Sequence, residues 1–518
     1  MKQFRPLAFA VAGSVVASML LGLTPTSTAT AAGSGSLSVS PSKYVGGQAV
    51  TFQGNIGRSG VQKIWLQSHM GRPGDDWTRV EGFRGKTAAN GSFDFTYPAP
   101  SMFGIKYRVA AHGISTPAHT FDAKSQDLVL TAVPNGTGLD DGQELAGKDF
   151  TIRVDTTPVI SHRPDLPPPA FPGRELTLQQ RGPQGQWQTL DTTTTDNSGI
   201  GSFLVPAENA GCLVYRVRQE AWTKNGSQIG WFPSFPTPVE VVASAGASGA
   251  CPNLSSAPSD TSVPRGDAIN SPVAATAAGT YKWGQSLWDF AWERGQSLTS
   301  RPSRGSDRKG WWLDRSTGLG RAVQHNGGLL LDTQRVWSGP GDYGTTSATL
   351  RDNARAYGRW EAKMRLKRLE TGAKNYTAKI ELVPARDQDY VCGARNITVA
   401  SVKVGSGGVG IGARNGKTQW QANRKINVPV DRAVSFAVEV TRNHVTWFYN
   451  GRPIGTVRSG AAVSDVPLTM RLSLAGDQNS EMNKTFFISD WQRGFDLHAG
   501  RSVTSGDSLR KGKYSGGC

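Results

Sequence analysis

Acidic side chains on β-forming stretches are few in this 518-residue chain, which limits the proton chemistry it can do. Glu361 lies within Trp360-Glu361-Ala362-Lys363-Met364-Arg365-Leu366. Glu381 follows Tyr376-Thr377-Ala378-Lys379-Ile380, and Asp387 and Asp389 come next in a loop. Cleaving a glycosidic bond with retention needs two carboxyl groups about 5.5 Å apart, one to attack and one to protonate the leaving oxygen. Glu361 and Glu381 are the candidates for such a pair. The plainer reading makes Glu361 a scaffold member of its strand, pairs Glu381 with a basic neighbour and leaves the two aspartates solvated. No Asp or Glu occurs from Tyr390 to Ser401. That stretch offers amide and hydroxyl groups instead. Asn396 and Thr398, two residues apart, share one face of a strand and can hydrogen-bond sugar hydroxyls, whereas Arg395 points to the other face. Trp311, Trp312, Trp337, Tyr343 and Trp420 carry flat apolar faces on which a sugar ring can lie, and no more than two of these are expected on a cleft.

Metal chemistry has little to stand on. The seven histidines form no i, i+2 or i, i+4 cluster, so a His-based metal centre is not expected. No cofactor is expected, and a structural calcium has no support in the sequence. Four cysteines, Cys212, Cys251, Cys392 and Cys518, are an even number and suggest two disulfides in an oxidising compartment. Three pairings are open; Cys212 with Cys251 and Cys392 with Cys518 keep each bond within or at the edge of one segment, the second pinning an otherwise loose Gly/Lys/Ser tail at 501–518.

The elements that must position these groups are strands. Alternation of apolar and polar residues recurs in Gly328-Leu329-Leu330-Leu331, Trp360 to Leu366, Val434 to Val440 and Val445 to Tyr449, and Asn450-Gly451 is a type I′ turn signal. Residues 279–500 therefore predict a large two-sheet jelly roll with a concave face. Upstream, Trp77, Gly91-Ser92-Phe93 and Tyr107-Arg108-Val109 recur as Trp187, Gly201-Ser202-Phe203 and Tyr215-Arg216-Val217, at offsets of 108 to 110 residues. Two related antiparallel sandwiches, 36–125 and 126–243, follow from this repeat. They resemble bacterial immunoglobulin-like modules, with the repeated Trp and Tyr as core anchors. The Pro-rich run Arg163 to Pro169 belongs in a surface loop because proline lacks the ladder donor. The Ala/Ser/Gly/Pro-rich stretch 244–278 predicts a flexible linker, and a hinge there would let the C-terminal domain move on its own. The fold class expected is all-β.

Several C-terminal pieces, in this order, resemble glycoside hydrolase family 16 of the concanavalin A-like lectin and glucanase superfamily, over roughly residues 281–497. They are Tyr357-Gly358-Arg359-Trp360-Glu361-Ala362-Lys363, Phe436-Ala437-Val438-Glu439 with Val445-Thr446-Trp447-Phe448-Tyr449-Asn450-Gly451-Arg452, Pro467 to Leu472, and Ile488-Ser489-Asp490-Trp491. The resemblance implies a Glu-x-Asp-x-x-Glu strand after a glycine, with a bulge re-aiming the third acid. The matching stretch is Gly393-Ala394-Arg395-Asn396-Ile397-Thr398-Val399-Ala400, so nucleophile, helper and acid/base fall on Ala394, Asn396 and Val399. None of these can attack or protonate. Where the family has Trp-Pro-Ala-aromatic-Trp, Tyr376 keeps one sugar-stacking surface and Ile380 loses the other. The implied carbohydrate-binding set is Tyr376, Asn396, Thr398, Trp420 and Trp337.

The chain opens with Lys2 and Arg5, an apolar run from Leu7 to Leu23 and then Ala29-Thr30-Ala31. That is an export signal over residues 1–32, and no later segment has the ~20 apolar residues of a membrane span. A secreted, extracellular or wall-associated monomer is expected. The net charge of +17 points to anionic wall polymers or acidic polysaccharide, while the lack of a zinc-finger spacing, an RNP motif or a basic stripe argues against nucleic acid. Three functions follow: a non-catalytic carbohydrate-binding or cell-surface protein, an extracellular glycosidase or lyase with relocated acids, and a basic adhesive protein that holds wall polymer by charge.

Overall fold

The computed structural model describes residues 35–71, 76–80, 82–124, 126–134, 143–158, 167–245, 247, 251, 275–292, 310–333, 343–369, 371, 373–386 and 395–514. The export signal, the greater part of the linker, Trp337, Asp387, Asp389, Cys392, Ala394 and Cys518 lie outside the described residues. The chain is all-β, as its alternating runs predict. No helix among the described residues is long and apolar enough to cross a membrane.

Two large facing sheets occupy the C-terminal half. The first contains β1 (Trp311–Ser316), β2 (Thr346–Arg351), β3 (Thr377–Pro384), β4 (Ile397–Lys403), β5 (Val409–Asn415), β6 (Thr418–Arg424), β7 (Leu468–Ala475) and β8 (Arg510–Lys513). Their order across the sheet is β1-β2-β7-β3-β4-β5-β6-β8. The opposite sheet is built around the long Gly358–Arg368 strand, which pairs Val434–Val440, Thr485–Ser489 and Trp491–Phe495. Between the sheets lies one apolar core. Trp360, Ala362, Met364 and Leu366 enter it from one side, and Ala378, Ile380, Leu382, Ile397 and Val399 from the other. The tail was expected to be held by a disulfide alone, yet Arg510–Lys513 is an edge strand whose backbone pairs with β6.

Alternation sends Arg359, Glu361, Lys363 and Arg365 to the outer face of the Gly358–Arg368 strand, where solvent would be expected. All four are buried. Each has a partner there: Arg359 Nε donates to Glu439 at 2.6 Å, Lys363 pairs with Asp490, Arg365 Nη2 reaches Asp431 at 3.1 Å, and Glu361 Oε1 accepts from the backbone N–H of Ala277 at 2.5 Å. Burying charge costs less when every group is paired in this way.

Residues 36–242 form four smaller sheets that enclose two further cores. One core holds Phe52, Leu66, Phe93, Tyr107 and Val109; the other holds Phe150, Leu178, Phe203, Tyr215 and Val217. The repeated Tyr and Val thus anchor the interior, but the repeated Trp does not. Trp77 and Trp187 are half-buried, with the guanidinium of Arg108 or Arg216 4.2 Å above each ring. The intervening residue of the Tyr-Arg-Val triplet points outward and stacks on the indole, a cation–π contact repeated in both units. Cys212 and Cys251 form a disulfide. The second pairing, Cys392 with Cys518, falls outside the described residues.

Candidate functional site

A bulge in β4 decides which side chains the concave face presents. Thr398 lies opposite Glu381 of β3 and Gly412 of β5, and Ser401 lies opposite Lys379 and Gly410. Between them the register shifts, so Val399 has no paired partner in either ladder. Val399 and Ala400 both turn into the core. An extra residue re-aims the strand at such a bulge; consequently Asn396, Thr398 and Ser401 line the cleft together. The i, i+2, i+5 spacing of the expected catalytic motif is thereby realised on Asn396, Thr398 and Ser401, two residues beyond the alignment with Ala394, Asn396 and Val399. Val399 cannot face the cleft, because its isopropyl group is 1 % exposed and packed between the sheets.

The cleft has a volume of about 670 Å³ and is lined by Lys379 and Glu381 from β3, those three β4-side residues, Gly410, Gly412 and Arg414 from β5, Gln419, Gln421 and Asn423 from β6, and Arg510 from β8. Glu381 is the one carboxylate among these lining residues. Its Oε1 accepts a hydrogen bond from Asn396 Nδ2 at 3.2 Å, and its cross-strand neighbour on β7 is Arg471. The other end of the Asn396 amide, Oδ1, is buried with no hydrogen-bond partner among the described residues. A buried acceptor of this kind costs free energy until a donor reaches it. Thr398 and Ser401 line the same cleft.

Several expected site residues are elsewhere. Glu361 belongs to the opposite sheet and faces away from the core, so it cannot meet Glu381 across a substrate. Burial pushes its pKa up to about 7, and the backbone N–H groups of Ala277 and Ala278 oppose that rise. Tyr376 is wholly buried in the core and is no sugar platform. Trp420 pairs with core-facing Ala413 and so turns its indole to the interior; it borders the cleft without offering a ring face. Trp312 is core as well, whereas Trp311 is 38 % exposed at the sheet edge. Trp337 and Ala394 lie outside the described residues. The residues not anticipated are Lys379, Ser401, Gln421, Arg414 and Arg510. The sequence signal for Ser401 was the apolar doublet Val399-Ala400 between two hydroxyl residues, which alternation alone cannot accommodate. Among the described residues no three His, Cys, Asp or Glu side chains come together as a metal site.

The chain matches no family profile and no curated protein. Among solved structures it is similar to the catalytic domain of an endo-1,3-β-glucanase (laminarinase) from Thermotoga petrophila RKU-1, at 15 % identity and a TM-score of 0.29, covering 34 % of this chain and 81 % of that one. It is similar to the laminarinase from Flavobacterium sp. UMI-01 at 13 % identity and a TM-score of 0.28, covering 34 % and 81 %. The laminarinase from Rhodothermus marinus matches at 17 % identity and a TM-score of 0.27, covering 34 % and 80 %.

Proposed function

We propose that this chain is an exported glycan-binding protein whose jelly roll keeps a glycoside hydrolase family 16-like scaffold and does not hydrolyse its ligand. One observation carries the reading: the three cleft positions at the i, i+2, i+5 spacing hold an amide and two hydroxyls, and among the described residues a single carboxylate, Glu381, lines the cleft beside them. Double displacement needs a nucleophile and a separate proton donor, whereas binding needs hydrogen-bonding groups with unmet capacity. The side chains of Asn396, Thr398 and Ser401 offer amide and hydroxyl groups to the cleft. The two N-terminal sandwiches would hold this cleft away from the surface to which the protein is attached.

The full mature chain should be retained on at least one of insoluble β-glucan, chitin and bacterial wall, with no reducing ends released over a prolonged incubation. Asn396→Ala should weaken that retention. Reducing-sugar release that disappears in Glu381→Gln would overturn the non-hydrolytic reading, and flow-through from every polymer would overturn glycan binding itself.

A further inference from the structure

The cleft floor is unlike one built for a neutral glucan. Neutral sugars are gripped by flat aromatic faces, yet among the described residues Trp420 is the one aromatic bordering the cleft and its ring is turned inward. In place of aromatics there are cations. Lys379, Arg414 and Arg510 line the cleft against Glu381, the one carboxylate among its described lining residues. Arg471, the cross-strand neighbour of Glu381 on β7, adds a fourth positive charge on the same face of the sheet.

Their placement matters as much as their number. Lys379 and Arg510 stand on β3 and β8, four strand spacings apart in the order β3-β4-β5-β6-β8, which is about 19 Å along the sheet at ~4.8 Å per spacing. Only an extended chain can touch both. Among the described residues no ion pair involves Lys379 or Arg510. Arg414 lies 3.9 Å over the Tyr514 ring, a cation–π contact beside the cleft, and a guanidinium is the group best matched to a carboxylate or sulfate. Between the cations, Gly410 and Gly412 leave the strand backbone bare, and Asn396, Thr398, Ser401, Gln421 and Asn423 meet hydroxyls.

We infer, building on the glycan-binding reading above, that the ligand is an acidic polysaccharide whose repeating units carry carboxylate or sulfate groups, read by Lys379, Arg414 and Arg510 across β3 to β8. The net charge of +17 speeds the encounter with such a chain, and the cleft cations set where it lies.

Two pairs of polymers test this with the full mature chain: polygalacturonate against its fully methyl-esterified form, and dextran sulfate against dextran. The acidic member of at least one pair should bind about tenfold or more tightly than its neutral counterpart, and which pair responds distinguishes carboxylate from sulfate. Raising NaCl from about 0.05 to about 0.5 M should weaken that binding about tenfold. Lys379→Glu/Arg510→Glu should lose the preference with an unchanged melting temperature. An equal change of charge far from the cleft, Arg58→Glu/Lys86→Glu on the first sandwich, should keep it. Equal affinity for acidic and neutral members, or equal losses in the two double variants, would overturn the inference. Retention of a neutral polymer that is weakened by Asn396→Ala would still leave the glycan-binding reading standing.

Discussion

Burial drives Glu361 toward its neutral form, and the backbone N–H groups of Ala277 and Ala278 pull it back only in part, so its pKa stands at about 7 against an ordinary 4.5. A carboxyl that holds its proton more tightly in the folded chain than in the unfolded one contributes stability fully below pH 4.5, and loses that contribution as pH rises toward 7. The loss is at most about 3 kcal/mol, at 1.36 kcal/mol for each pH unit. Glu144, in the second sandwich, is also raised to about 7 by burial and titrates in the same window. Thermal melts at pH 4.5 and 7.5 should therefore show the wild type less stable at the higher pH, with the difference cut by about half in Glu361→Gln, whose carbonyl oxygen can still accept from Ala277. An unchanged pH difference in that variant would show that Glu361 does not titrate in this window. The sequence offered Glu361 either as half of a catalytic pair or as a scaffold member of its strand, and nothing local announces that the backbone N–H groups of Ala277 and Ala278 meet it.

At the scale of the strand, much was legible. Alternation placed Asn396 and Thr398 on one face, and they do line the cleft together. Alternation also distinguished Thr418, Trp420 and Ala422 from Gln419, Gln421 and Asn423, so the inward indole of Trp420 was implicit in the pattern even though its ring suggested a sugar platform. What could not be read was the pairing of strands distant in sequence, because register between β3, β4 and β5 is a tertiary property. The bulge at Val399 and the placement of Lys379 and Arg510, 131 positions apart along the chain, on one cleft belong to that class. The floor glycines give this scale its own test. A Cβ at Gly412 would meet the Trp420 carbonyl oxygen at 2.7 Å and strain the sheet, whereas a Cβ at Gly410 meets nothing nearer than Ser401 Cβ at 3.4 Å. Gly410→Leu should then project its side chain into the cleft and weaken polymer binding about tenfold, with little change in melting temperature, because the added volume enters open space and not a packed core. Full binding by that variant would place the ligand somewhere other than on this floor.

Across the whole molecule, the expectation of a freely hinged C-terminal domain meets an interface that joins two cores. Val323, Leu330, Phe486 and Ile488, on the outer face of the second large sheet, belong to the same apolar cluster as Phe150, Leu178 and Val217 of the second sandwich. Arg321 of the jelly roll lies 3.9 Å over Phe235 and 3.7 Å from Asp127. Arg216, already stacked on Trp187, makes a two-pronged pair with Asp314 of β1, its Nη2 donating at 3.1 Å. A linker can be long and rich in small residues while the bodies it joins remain packed, since composition reports only on the linker's own lack of a core. Cutting the chain at residue 275 would bare those four apolar side chains, so the isolated jelly roll should be less soluble and melt lower than the full chain. The ion pair gives a sharper measurement. Both partners are nearly inaccessible, and removing one leaves the other charge buried and unpaired, at a cost of about 3–5 kcal/mol. Asp314→Ala and Arg216→Ala should each lower the melting temperature markedly, while Arg216→Met/Asp314→Leu, which removes both charges and keeps apolar volume, should recover most of the loss. If calorimetry instead resolved separate transitions for sandwich and jelly roll, and Asp314→Ala moved neither, the two bodies would be energetically independent despite their contact.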